Sequence, residues 1–220
     1  MRTMRTTAAL AVIAALTIAC DLSGPRPTIE QTAGSSPSAS GDIVCTEEAD
    51  PTASLLTADD LPAGMESSGA VVDESAGADS GFPPPPAFEE NDGRRLIRDS
   101  WRPPADPDAP GDIYGVDEFV WQFVAPEGAA AFFDAEAANF AGPGEEDESI
   151  EPVGDNGRVF RGTSSGSLGT FDNYQFLFTV GNLAVKVAIS GLQPFEASAA
   201  GDIAAAAEAR ATEFVNGPCT

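Results

Sequence analysis

Histidine is absent from the 220-residue chain, and lysine occurs once, as Lys186. Without histidine there is no Ser-His or Cys-His dyad, and the commonest general base and the commonest metal ligand are missing together. Positive charge is scarce as well: eleven Lys and Arg stand against thirty-five Asp and Glu, for a net charge of -24. Binding nucleic acid depends on cationic groups that displace counterions, so no nucleic-acid partner is expected. Nowhere do twenty apolar residues run together, and no internal repeat is visible. What is present, 42% hydrophobic side chains over this length, suffices for one folded domain with appendages.

The appendages lie at the amino end. Arg2 and Arg5 precede an uncharged, mostly apolar run from Ala8 to Ala19, and small residues lead into Cys20. That order is an export signal. As a helix the run would be about 18 Å long, short of the roughly 30 Å hydrocarbon core, so a permanent membrane span is not expected. Leu16-Thr17-Ile18-Ala19-Cys20 resembles the lipobox of bacterial lipoprotein signals, with Thr17 where an aliphatic residue is usual. The resemblance implies a signal peptide over 1–19, cleavage before Cys20, and acylation of that cysteine with chains such as palmitate. An ordinary secretory signal cleaved elsewhere is the competing reading. A bilayer with anionic lipid repels so acidic a domain, so the acyl chains must supply the anchorage. Residues 20–42 then read as the lipidated cysteine and a disordered linker, rich in Ser, Pro, Gly, Thr and Ala, with an average reach of about 25 Å. If Cys20 carries lipid, Cys45 and Cys219 remain, and an oxidising compartment makes one disulfide between them the expectation. It would close nearly the whole domain into one loop, worth about 5 kcal/mol in the chain-entropy description.

Residues 43–220 read as a single α+β domain, an antiparallel sheet with helices packed on one face. Its clearest element is a hairpin, Asn173 to Val180 and Leu183 to Ser190 about a Gly181-Asn182 turn. Pairing Val180 with Leu183 sets Phe178 opposite Val185, Phe176 opposite Val187 and Tyr174 opposite Ile189 on a core face. The other face, with Leu177 opposite Lys186, Gln175 opposite Ala188 and Asn173 opposite Ser190, reads as solvent-facing. Further strands are expected near Ala70 to Asp73, over Arg94 to Trp101, Ile113 to Val124 and Gly157 to Arg161. Helices are expected after Pro126, where Ala129, Phe133, Ala137 and Phe140 recur, and over the Ala-rich stretch with Ile203, Ala207 and Phe214 that ends at Asn216-Gly217-Pro218. Thr57 is placed to cap a short turn at Ala58 to Leu61.

The run Leu55 to Gly64, the strand and helix from Phe119 to Phe140 and the last helix together resemble small surface lipoproteins of high-GC Gram-positive bacteria. Their plan is similar to that of the extracellular sensor domains of bacterial serine/threonine kinases and of PsbP/Mog1-like αβα sandwiches. Preference for Arg over Lys, with abundant Ala, Gly and Pro, fits a GC-rich genome. The resemblance implies a binding or sensing module and carries over no site residue.

Four features bear on chemistry. Gly162-Thr163-Ser164-Ser165-Gly166 matches the G-x-S-x-G turn of hydrolases, but with no histidine to accept the serine proton, and in what reads as a loop before a strand, it is a structural segment. Asp106, Asp108, Asp112 and Asp117 fall at positions 1, 3, 7 and 12 of a calcium-loop pattern with Gly111 at position 6, against which stand Pro110 at a ligand position and Pro103-Pro104 before it. An acidic turn is the stronger reading, calcium the weaker, and no other cofactor is expected. Arg94, Arg95, Arg98 and Arg102 hold four of the nine basic residues that remain after signal cleavage. Arg94, Arg98, Trp101 and Arg102 are the candidate ligand- or partner-binding group, with pairing to nearby acids as the plain alternative. Phe82-Pro83-Pro84-Pro85-Pro86 is a polyproline segment best read as a stiff surface loop.

The expectation is therefore a lipid-anchored envelope protein, not an enzyme, that binds a small apolar or anionic ligand or another envelope protein. An acidic spacer without a pocket and a hydrolase built on two carboxylates are the alternatives.

Overall fold

The computed structural model describes residues 50–73, 86–141 and 144–217, with the side chains at 138, 140 and 141 excepted. The leader, the linker, all three cysteines and residues 82–85 of the polyproline segment lie outside them. Two 3-10 turns, Pro51–Ser54 and Ala58–Asp60, open the domain. There follow β1 (Glu66–Ser67), β2 (Val71–Asp73), α1 (Pro86–Glu90), β3 (Gly93–Arg102), β4 (Ile113–Phe123), α2 (Pro126–Ala141), β5 (Glu145–Glu146), β6 (Asp155–Gly166), β7 (Gly169–Val180), β8 (Leu183–Leu192) and α3 (Ala197–Asn216). Among the described residues these strands form one antiparallel sheet in the order β1-β3-β4-β8-β7-β6-β5, with β2 also paired to β3. The α+β class is as expected.

The central hairpin has the register its alternation dictates: Val180 faces Leu183, Phe178 faces Val185, Phe176 faces Val187 and Tyr174 faces Ile189. Gly181 takes a φ of 53° at the turn, a conformation glycine adopts without steric cost. The odd residues of β8 and the even residues of β7 make the floor of the main core. Onto it pack Ala200, Ile203, Ala204, Ala207, Ala211 and Phe214 of α3, together with Leu55, Leu56 and Leu61 from the opening segment. The alanines let α3 lie close to the sheet, and burial of each Phe or Leu beneath it is worth about 1.5–3 kcal/mol.

The helices do not share one face. Phe132 of α2 and Phe88 of α1 bury Leu96, Trp121, Phe123 and Ala184 on the opposite side, and Phe133 and Ala137 bury Phe160 and Leu177. The physical reason lies in β4, where Phe119-Val120-Trp121-Gln122-Phe123 is apolar on both sides of the pleat, a pattern that demands cover on both. The hairpin's second face, expected to be wet, is thus divided. Leu177 and Ala184 lie under α2, while Asn173, Gln175, Lys186, Ala188 and Ser190 stay half-exposed beyond it.

Candidate functional site

The half of the second face that the described residues leave open is the candidate site. Strand alternation puts Lys186, Ala188 and Ser190 of β8, Asn173 and Gln175 of β7 and Gly162 and Ser164 of β6 on one surface. They floor a trough with two joined lobes. One, of about 300 Å³, is lined by Lys186, Gln175, Ala188, Gly162 and Gly144. The other, of about 200 Å³, is lined by Tyr114, Leu168, Phe171 and the serines of the β6–β7 turn. Ser164, Asn173 and Ser190 belong to both.

A side-chain chain fixes the join. Ser190 Oγ donates to Asn173 Oδ1 at 2.7 Å, and Asn173 Nδ2 donates to Ser164 Oγ at 3.0 Å. Three strands are tied by it. In the second lobe Tyr114 is 40% exposed and leans against the buried Phe171, ring centroids 5.0 Å apart. In the first, Lys186 holds its ammonium 5.8 Å from the centre of the Phe119 ring. Burial lowers the Lys186 pKa, and the Asp117 carboxylate works against that lowering. The half-buried setting replaces the fully wetted position expected from alternation.

The basic strand contributes on the same face. Arg98 lies opposite Phe119, and Phe119 opposite Lys186, so the three residues share one face across three strands. Arg102 forks onto Asp117 at 2.8 and 3.1 Å, crossing β4 at Gly115, where a Cβ would stand 2.7 Å from its Nη1. Arg94 sits at the irregularity between Gly93 and Arg95 and is half-buried. Trp101 does not join this group. Its parity turns it to the other face, where it is 6% exposed within the main core.

The remaining candidates are placed elsewhere. Asp112 accepts from the backbone N–H groups of Asp108 and Ala109 at 3.3 and 3.0 Å, which makes it the organiser of a tight turn. Asp117 faces Arg102 from β4, and among the described residues no three acidic side chains gather as a metal site requires. Gly162 to Gly166 is not a loop but the end of β6, paired with β7 from Asn173 to Gly169. Ser164 there is a hydrogen-bond acceptor in the trough. A wider depression of about 660 Å³ separates residues 149–154 from α3, but its charged groups, Glu151, Asp202 and Glu208, are all carboxylates. Such a lining repels an anion.

One residue escaped the sequence reading. Glu118 is fully buried on the main-core face of β4, directly opposite Asp99 of β3. Its Oε2 accepts from the Leu56 N–H at 2.8 Å, and its Oε1 has no hydrogen-bond partner among the described residues. Desolvation, with smaller contributions from Asp99 and Asp60, raises its pKa to about 8 against one lowering hydrogen bond. Asp99 takes the Ser67 hydroxyl and the Ser100 N–H. This carboxylate pair lies beneath the opening segment, not in a cleft. The signal was present: Glu118, the one acid at an even position between Val116 and Val120, shares their face.

No protein family matches the chain in a scan against family models, and no curated protein matches it. Among solved structures it is similar to the extracellular domain of PknH from Mycobacterium tuberculosis, with a TM-score of 0.53 and 16% identity over 74% of this chain and 94% of that one. The likeness is one of fold. It agrees with the plan expected from the resemblance to kinase extracellular domains. No helix among the described residues is long and apolar enough to cross a membrane.

Proposed function

We propose that the chain is an exported, lipid-anchored protein of the cell envelope whose 43–220 domain binds a small ligand, without chemistry, in the trough on the second sheet face. The observation that carries this reading is the half-face that the described residues leave open. Among them, an antiparallel sheet covered over most of one side and only part of the other leaves a concave strip of hydroxyl, amide and ammonium groups, pre-fixed by the Ser190–Asn173–Ser164 hydrogen bonds. Within a chain of net charge -24 the strip carries Lys186, with Arg98 on the same face one strand beyond Phe119, and so favours an anion. The fold shared with the extracellular domain of PknH supports a place outside the membrane, and the leader ending at Cys20 supports anchorage by lipid.

Native mass spectrometry of the protein recovered from its own envelope tests both halves. The reading expects a chain that begins at an acylated Cys20 and carries a retained small molecule. Recovery from the cytosol with the initiator Met1 and no fatty acid would contradict export, and recovery from the envelope with an empty domain would contradict binding.

A further inference from the structure

We infer that the ligand class of the trough is an acidic oligosaccharide; the inference rests on the trough being the binding site. Four features lead there. The lining sets neutral hydrogen-bonding groups, Ser164, Ser165, Ser167, Asn173 and Ser190, among apolar surface from Leu168, Phe171 and Ala188, a mixture that matches the hydroxyls and the C–H faces of sugar rings. An aromatic surface stands at one end only, where Tyr114 is 40% exposed and is braced by Phe171, so a ring can lie flat against a platform of fixed orientation. A cation stands at the other end, Lys186, with Arg98 one strand beyond Phe119. A carboxylate on the ligand meets this end and is repelled by most of the remaining surface.

Shape gives the fourth. Lys186 and Ser190 are four positions apart on β8, roughly 13 Å at strand spacing, and the aromatic lobe continues the trough past Ser190. That length accepts several linked rings and exceeds one. A peptide adding as a strand would lie along the outer edge of β6 beyond Arg161 and not in the trough, because β7 and β8 on its floor are each paired on both sides. The geometry therefore places a sugar ring on Tyr114, hydroxyls on Asn173 and Ser190, and an acid group at Lys186.

Amide-resolved NMR titration of the folded domain with two probes tests the inference: a tetrasaccharide of alternating glucuronic acid and N-acetylglucosamine, and the uncharged chitotetraose. The acidic probe should shift the amides of Tyr114, Asn173, Lys186 and Ser190 and bind at least tenfold more tightly than the neutral one, a difference of about 1.4 kcal/mol. Lys186→Gln should reduce the acidic probe to the affinity of the neutral one, and Lys186→Arg should restore most of the difference. Tyr114→Ala, at an exposed position, should weaken both. Equal affinities for the two probes overturn the acidic assignment, and no binding of either up to about 10 mM overturns the saccharide assignment and leaves the binding reading to the native-ligand experiment. Shifts confined to residues outside the trough overturn both.

Discussion

The Leu56 N–H donates to Glu118 Oε2 at 2.8 Å across 62 positions of sequence, and by that bond the opening segment is fastened to the centre of the sheet. The carboxyl is fully buried, its second oxygen has no partner among the described residues, and Asp99 and Asp60 stand near it. A neutral Glu118 suits this setting and a charged one does not.

Stability should therefore fall as pH rises through Glu118. Its pKa is about 8 in the folded chain against an ordinary value of 4.5, so the folded state holds the proton more tightly than the unfolded state does. The stabilisation is complete below about pH 4.5, declines across the interval and is gone above about pH 8, with a full range of up to about 5 kcal/mol. Glu118→Gln, which keeps the acceptor and loses the titration, should match the parent near pH 5 and melt at a higher temperature at pH 9. Thermal melts of both chains from pH 5 to 9 check this; parallel curves would mean that Glu118 titrates normally.

The same segment is clamped from α3. Arg210 Nε donates to Asp60 Oδ2 at 2.8 Å and Nη2 to Thr57 Oγ1 at 3.0 Å, while Asp60 also accepts from the Thr57 N–H at 2.8 Å. Burial alone would raise the Asp60 pKa, but these hydrogen bonds bring it below the usual carboxylate value. A double-mutant cycle of Arg210→Ala and Asp60→Asn should show a coupling of about 0.5–1 kcal/mol, the size of a partly exposed ion pair. Additive single effects would mean that the contact contributes nothing.

Cover by α2 on the second face makes Leu177 and Gln175 unequal, although they are two positions apart on the same side of β7. Leu177 is 1% exposed against Phe133 and Ala137, so Leu177→Ala should cost about 2–5 kcal/mol in denaturant unfolding. Gln175→Ala, in the trough, should cost under about 1 kcal/mol. Similar small losses at both would place α2 elsewhere.

Cys45 and Cys219 are expected to form a disulfide. The contacts of Arg210 with Thr57 and Asp60 bring the opening segment beside the last turns of α3, which favours the pairing. Alkylation of the unfolded, unreduced protein should label neither cysteine, and Cys45→Ser should free one thiol at Cys219. Labelling of both in the oxidised parent would contradict the bridge.

How much of this was legible follows from what alternation can report. In the Phe176–Val187 hairpin one face is wholly apolar, so register and core follow from the sequence alone. The division of the opposite face was not legible from the hairpin, because Leu177 and Gln175 sit on one strand and differ only in whether α2 reaches them. The clue lay elsewhere, in the two-sided apolar run of β4. The arginine strand was legible as a strand, yet its parity divides Arg98 from Trp101, and the long-range partners of the trough come from β6, β7 and β8, which local pattern does not bring together. Glu118 was readable as an acid on the face of Val116 and Val120 but not as a buried one, since burial depends on the segment that docks over it.

The proposed ligand site is the half of the second face that the described residues leave open. Ala188 lies half-buried on the floor of that trough, away from the packed core, so Ala188→Trp fills it and leaves the fold intact. Native mass spectrometry of parent and Ala188→Trp chains recovered side by side from the same envelope is the direct measurement. The account predicts a bound small molecule on the parent and its loss from the variant; the same molecule retained by both would contradict it.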